Sequence, residues 1–255
     1  MIRLLATFLV FIATPLWAEN ERVVAALSQN AVSITTDFAG SQIFVYGAVE
    51  RNWFPNDTDD NLDVIITISG PEEPVVIRKK ARALGIWVNR EKVVVDKAPS
   101  FYAVATTGPL ADILTRVDDR RHKISVERAI RLVGVAGEVD DPAEFSDAVV
   151  RLRRASGVYF ERIGDVEQIG QTLFQTRVEL PANIVEGDYL TRVFILREGM
   201  VLDSFETGIT VRKVGLERFV YNLAHEQSLI YGILSVLVAL FAGWAASEVF
   251  RVFRR

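Results

Sequence analysis

The sequence predicts a mainly β protein: an immunoglobulin-like β-sandwich with a helical insertion, tethered by one C-terminal transmembrane helix. Three observations predict it. Short β-branched and aromatic runs fill residues 19–108 and return after Gly157. Helical periodicity occupies about 109–156 between them. From Gln227 to Ser247 there is no charged residue. Composition narrows the chemistry further. Without cysteine, a disulfide scaffold and any Cys-ligated zinc or iron–sulfur site are excluded. Two methionines and two histidines, His122 and His225, are a poor supply of ligands for copper. A charged fraction of 24% is ordinary for a folded chain and argues against general disorder.

Residues 1–18 read as an export signal. Arg3 precedes a largely apolar run from Leu4 to Ala13, Pro15 breaks it, and Leu16-Trp17-Ala18 offers a cleavage site. Charge-free residues end at Ala18, too short a stretch to span a bilayer. The strand runs that follow are SQIFVYGAVE, LDVIITISG, EPVVIRKK, EKVVVDK and SFYAVATTG, punctuated by Gly40, Pro55-Asn56-Asp57, Gly70-Pro71 and Pro99. In the first, Ile43, Val45 and Val49 alternate with Phe44, Tyr46 and Ala48, so both faces are apolar and a central, covered strand is expected.

Pro109 opens the insertion at a helical first turn. Ile124, Ala129, Ile130 and Val133 in ISVERAIRLVG suit one helical face, and so do Phe145, Val149, Leu152 and Ala155 in the helix after Asp141-Pro142, which Gly157 stops. Arg151, Arg153 and Arg154 lie late in that helix, where cations suit the dipole and a solvated end is expected. GVYFERIG, QTLFQTRVELP, GDYLTRVFILREG and MVLDSFETGITVRK then read as an antiparallel set, the last two joined by a hairpin turn at Glu198-Gly199. Leu180-Pro181 followed by Gly187-Asp188-Tyr189 has the look of a tyrosine corner, in which a Tyr near the start of the penultimate strand bonds back across the crossover. One sandwich or two is open at this point.

The span covers 227–248, with Tyr231 and Trp244 near its ends and Arg251, Arg254 and Arg255 in a short basic tail, 249–255. A cleaved signal places residues 19–226 outside and the tail in the cytoplasm. The expected setting is the periplasmic face of a bacterial inner membrane. The whole chain carries −4; losing Arg3 with the signal, and one Glu and three Arg with the anchor, leaves the exported domain at −7. An acidic exported domain is a poor ligand for nucleic acid. The sequon at Asn56-Asp57-Thr58 has no meaning in such a compartment, and neither does the kinase-like Arg153-Arg154-Ala155-Ser156.

GIWVN at 85–89, PSFYAVATTGPL at 99–110, LPANIVEGDYLTRVFILREG at 180–199 and LIYGILSVLVALFAGWAASEVFR at 229–251 together resemble a family of alphaproteobacterial single-span transmembrane proteins. The resemblance implies a periplasmic domain with a C-terminal anchor, often encoded near a sulfite-exporter-type permease. It carries over no catalytic residue and no activity.

Candidate sites are few. Asp57, Asp59, Asn61 and Asp63 imitate the first half of a calcium loop, but Leu62 stands where Gly is needed and Ile68 where the bidentate Glu belongs. A solvated loop is the expectation. His122 in a polar run and His225 above the span each need a nucleophile or carboxylate beside them before they mean catalysis. No GxSxG, HExxH or phosphate loop occurs, so neither an enzyme nor a cofactor is expected. Gly85 to Asn89 and Ser100-Phe101-Tyr102 are apolar-aromatic clusters, read as sandwich core, with a docking surface as the alternative. Ala239 and Gly243 have small-xxx-small spacing, which suits either helix association or a plain anchor. The functional expectation is a membrane-anchored interaction or accessory protein whose partners are the bilayer and an envelope membrane protein such as a permease. The alternatives are a periplasmic enzyme and a solute-binding accessory domain.

Overall fold

A computed structural model describes residues 21–51, 62–83, 85–130 and 142–253. One sheet has the order β1 (Arg22–Leu27), β3 (Ser41–Glu50), β10 (Leu173–Leu180) and β9 (Glu167–Ile169). A second has the order β2 (Ala31–Ile34), β12 (Met200–Lys213), β11 (Gly187–Arg197), β4 (Asp63–Ser69), β7 (Tyr102–Thr106) and β8 (Tyr159–Ile163). β5 (Glu72–Ala83) and β6 (Ile86–Pro99) form a separate two-stranded arm.

Sequence pattern explains which faces are covered. In β10, Phe174, Thr176, Val178 and Leu180 are buried while the residues between them are exposed, the period of a half-solvated strand. β4 and β7 are buried on both faces, as their largely apolar runs require. One face of this six-stranded sheet meets the four-stranded sheet. The other carries the insertion: α1 (Leu110–Ile113), α2 (Arg116–His122), α3 (Val126–Ala129) and α4 (Pro142–Ala155). One core joins Val45 and Val178, Ile66 and Val193, and Ile124 and Phe145, so the sheets close a single sandwich. The Glu198-Gly199 turn has positive φ at both residues (51° and 79°), as a type I′ hairpin requires. Tyr189 donates its hydroxyl hydrogen to the Val185 carbonyl at 2.9 Å, forming the expected corner. At six strands, the second sheet is larger than either sheet of a seven-stranded immunoglobulin domain.

Several expectations need correction. β8 does not belong to an antiparallel set: it runs parallel to β7, because the chain returns to that edge through the α4 crossover. β2 is likewise parallel to β12. β3 is central between β1 and β10, but only its inner face is covered; Phe44 and Tyr46 stand exposed on the outer one. In ISVERAIRLVG only Val126–Ala129 is helical, and Val133 lies outside the described residues. Along α4, Phe145 and Val149 are buried as expected. Leu152 is exposed, and half-buried Arg153 continues the inward row instead, donating to the Ser100 carbonyl at 3.5 Å. Phe101 and Tyr102 are core, but the Gly85 to Asn89 cluster is not: Ile86 and Trp87 are 64% and 68% exposed. That cluster sits at the far end of the arm, beyond the reach of either sheet.

β12 leads through α5 (Leu216–Glu226) to α6 (Ser228–Phe253). Within α6, Ser228–Ser247 has a mean hydropathy of 2.2 and 0% of its most apolar stretch is buried against the protein, so it is not a core helix. Residues 1–18, Arg254 and Arg255 lie outside the described residues.

Candidate functional site

The sandwich is open along one seam. β9 covers β10 only at Leu173, Phe174 and Gln175. Beyond Gln175 the register shows which backbone groups are left over. The Val49 amide donates to the Thr172 carbonyl, so even-numbered residues of β10 face β3 and odd-numbered ones face away. The N–H and C=O of Arg177 and Glu179 therefore point to the open side, where no described strand pairs with them. β8 is a second open edge. Tyr102 donates to the Val158 carbonyl and Gly164 to that of Thr106, so even-numbered residues face β7 and the backbones of Tyr159, Glu161 and Ile163 face outward.

Between these edges lies a cleft of about 510 Å³, lined among others by Phe160, Arg162, Asp165, Thr176, Arg177 and Glu179. A second hollow of about 580 Å³ shares Phe160, Arg162 and Glu179 with it and continues toward Gly40 and Pro181. Thr176 is 4% exposed, and its hydroxyl, on the cleft wall, has no hydrogen-bond partner among the described residues. An orphan of this kind costs roughly 1–3 kcal/mol until something bonds to it. The Arg177 guanidinium stacks over Phe44, 4.7 Å from the ring centre. Burial, then the negative charge of Glu127, raises the Glu161 carboxyl above its ordinary value, with Arg154 opposing. Burial also pushes the Tyr159 phenol well above the usual range; it donates to the Pro99 carbonyl at 2.5 Å and is a structural group, not an acid at neutral pH. Beside the seam, Val24, Tyr46, Ile169 and Leu173 form an exposed apolar patch on the outer face of the four-stranded sheet.

None of the candidate site residues singled out from sequence lines this cleft, although Arg154 lines the second hollow. Asp57, Asp59 and Asn61 lie outside the described residues, and Asp63 accepts a 2.9 Å hydrogen bond from the Thr107 hydroxyl. No cluster of three metal-ligating side chains occurs among the described residues. The His122 ring packs edge-on against Phe194, while its carbonyl accepts from Arg192 at 2.7 Å. His225 stacks on Tyr221 within α5. Arg154 pairs with Glu127 at 3.1 Å, and the Ser156 hydroxyl bonds back to the Arg153 carbonyl. Ala239 and Gly243 lie one turn apart on α6. The strands that build the cleft were readable in sequence; its openness was not, because it depends on β9 stopping after three residues.

A family model described as "Putative transmembrane protein (Alph_Pro_TM)" matches residues 22–252. The chain belongs to this alphaproteobacterial family. Membership and the uncovered α6 together make it a membrane-anchored protein. The Alph_Pro_TM description names no reaction. No curated protein matches the chain. Among solved structures, the sporulation control protein Spo0M from Bacillus subtilis is similar at 10% identity and a TM-score of 0.30, over 82% of this chain. The chain spans 56% of that protein's length, and a likeness at this level carries no argument.

Proposed function

We propose that the chain is a non-enzymatic interaction protein, anchored on the periplasmic face of the inner membrane, that holds an extended segment of another envelope membrane protein in its open seam. An inner-membrane transporter of the permease type is the partner class. The observation that carries the reading is the pair of unpaired strand edges, at Arg177 and Glu179 and at Tyr159, Glu161 and Ile163, flanking one cleft. An extended chain adds to such an edge through its backbone, as in strand-addition complexes. The orphan Thr176 hydroxyl supplies one polar contact and the Val24–Tyr46 patch an apolar landing beside it.

Arg177→Pro tests this directly, since it removes an amide that faces the seam and spares the bonds to β3. The variant should keep its thermal stability within about 1 kcal/mol yet co-purify at least tenfold less partner from mildly solubilised membranes. Equal recovery from wild type and variant would sink the proposal. A second reading, a solute-binding accessory domain, is favoured by the mixed charges of Arg162, Asp165 and Arg177 around the same cleft. It predicts that a small charged solute alone raises the melting temperature.

A further inference from the structure

The β5–β6 arm leaves the sandwich at the same end as the membrane anchor. Ser69, the last residue of β4, lies opposite Leu190 near the start of β11; Gly187, the first of β11, lies opposite Val211 near the end of β12. The chain thus exits toward the arm through Gly70-Pro71 and toward the anchor through Val214-Gly215 from neighbouring positions. The two exits are close enough that a Cβ on Gly187 would meet the Pro71 ring at 2.7 Å. An arm strand of 12 residues extends about 40 Å, and the 11 residues of α5 about 16 Å. The arm therefore has the length to reach the surface that α6 enters.

Its outer half is built for that surface. Beyond Ile77 and Val93 no residue of either strand is buried until the turn, where Gly85 takes a φ of 86°. Between 78 and 92 stand six cations, Arg78, Lys79, Lys80, Arg82, Arg90 and Lys92, against Glu91 alone, a net +5 in a chain whose total is −4. Arg78 lies directly opposite Lys92 across the ladder, a repulsion that a polyanionic surface relieves. Among the described residues, only Lys79 of the six has an acidic partner beyond the arm, Glu144 at 2.5 Å. Ile86 and Trp87, at 64% and 68% exposure, cap this basic collar with apolar and indole surface. Cations behind an aromatic tip match a bilayer interface, with headgroup phosphates outside and acyl chains beneath. A two-stranded ribbon alone in water is marginal, so the arm gains order where it docks.

We propose that the β5–β6 arm is a second membrane contact: its tip enters the headgroup layer of the bilayer holding α6, and its basic collar selects anionic lipid. The chain has no cysteine, so Ile86→Cys gives one site for a fluorescent label, with Met200→Cys at the opposite end of the sandwich as control. The full chain is placed in nanodiscs of phosphatidylcholine, alone or with about 30% phosphatidylglycerol. Each basic residue near an anionic surface favours the docked state about fivefold. The label at 86 should therefore be at least about threefold less accessible to a water-soluble quencher in anionic discs, with position 200 unchanged, and salt of about 0.5 M should reverse the protection. The combined change Arg78→Glu, Lys80→Glu and Arg82→Glu should abolish it. Equal accessibility in both bilayers overturns the proposal. So does protection that persists at high salt, or that needs an added protein partner.

Discussion

β4 and β5 are separated by two residues and begin from similar material, yet they meet opposite fates. Val64, Ile65, Ile66 and Ile68 of β4 are all but sealed from water, while Val76 of β5 is 50% exposed and no residue of that strand past Ile77 is buried. Both strands are rich in branched apolar residues. What separates them is what lies alongside: β4 has β11 and β7 as neighbours and a layer on each face, whereas β5 has only β6. Strand composition thus fixes the local backbone, and the neighbours decide burial. The same contrast should hold for charge. Buried charges stabilise the sandwich only as complete sets, and the arm's charges contribute almost nothing to folding.

The largest expected effect tests that contrast. Glu21 is 8% exposed and meets Arg51 at 3.2 Å and Arg197 at 2.6 Å, joining the segment before β1 to the end of β11. Glu21→Ala leaves two arginines without this carboxylate and should cost about 3–5 kcal/mol. Glu144→Ala breaks an exposed pair with Lys79 and should cost about 0–1 kcal/mol. Urea unfolding of the solubilised chain measures both. Similar losses for the two variants would show that arm and sandwich do not differ in this way.

A smaller effect separates the regions by pH. Tyr102, Tyr159 and Tyr189 all have phenols raised by burial above the ordinary value of 10.0, with Arg192 opposing at Tyr102. A raised folded-state value means that the native state holds its proton more tightly than the unfolded chain. The stability this contributes is complete below pH ~10 and is lost as pH rises past it toward the folded values. The urea midpoint should accordingly fall between about pH 9 and 11; in a chain with the exposed Tyr46, Tyr221 and Tyr231 changed to Phe, tyrosinate absorbance should grow only as the sandwich unfolds. Tyrosinate forming near pH 10 in the intact fold of that triple-Phe chain would contradict the burial of Tyr102, Tyr159 and Tyr189.

Most of the architecture was legible because its signals are local. Alternation in Phe174 to Leu180, positive-φ chemistry at Glu198-Gly199, the Tyr189 corner and the uncharged run of α6 each follow from a few adjacent residues. Features set by distant neighbours were not legible. Nothing near Trp87 says that no sheet will cover it, and nothing in LFQTRVEL says that β9 will pair with β10 no further than Gln175. Parallel pairing of β8 is equally non-local, since it depends on which edge α4 returns the chain to. The cleft, made by such absences, had no motif to announce it.

The smallest effect concerns the anchor, which differs from both other regions in that the rest of the chain does not cover it. A Cβ added to Gly243 meets nothing within 4 Å, so Gly243→Ile is free of strain within a single chain. Isoleucine also suits lipid, and insertion should be unchanged. Any loss of association then reports on a second helix packed where Ala239 and Gly243 share a face, because the new side chain holds the backbones apart. Such contacts are worth on the order of 1 kcal/mol each, so partial loss of complex is expected rather than loss of protein. Leu237→Ile, on another face of the same helix, is the control. If both variants retain equal amounts of partner in mild detergent, the span is a plain tether, and recognition falls to the seam and the arm.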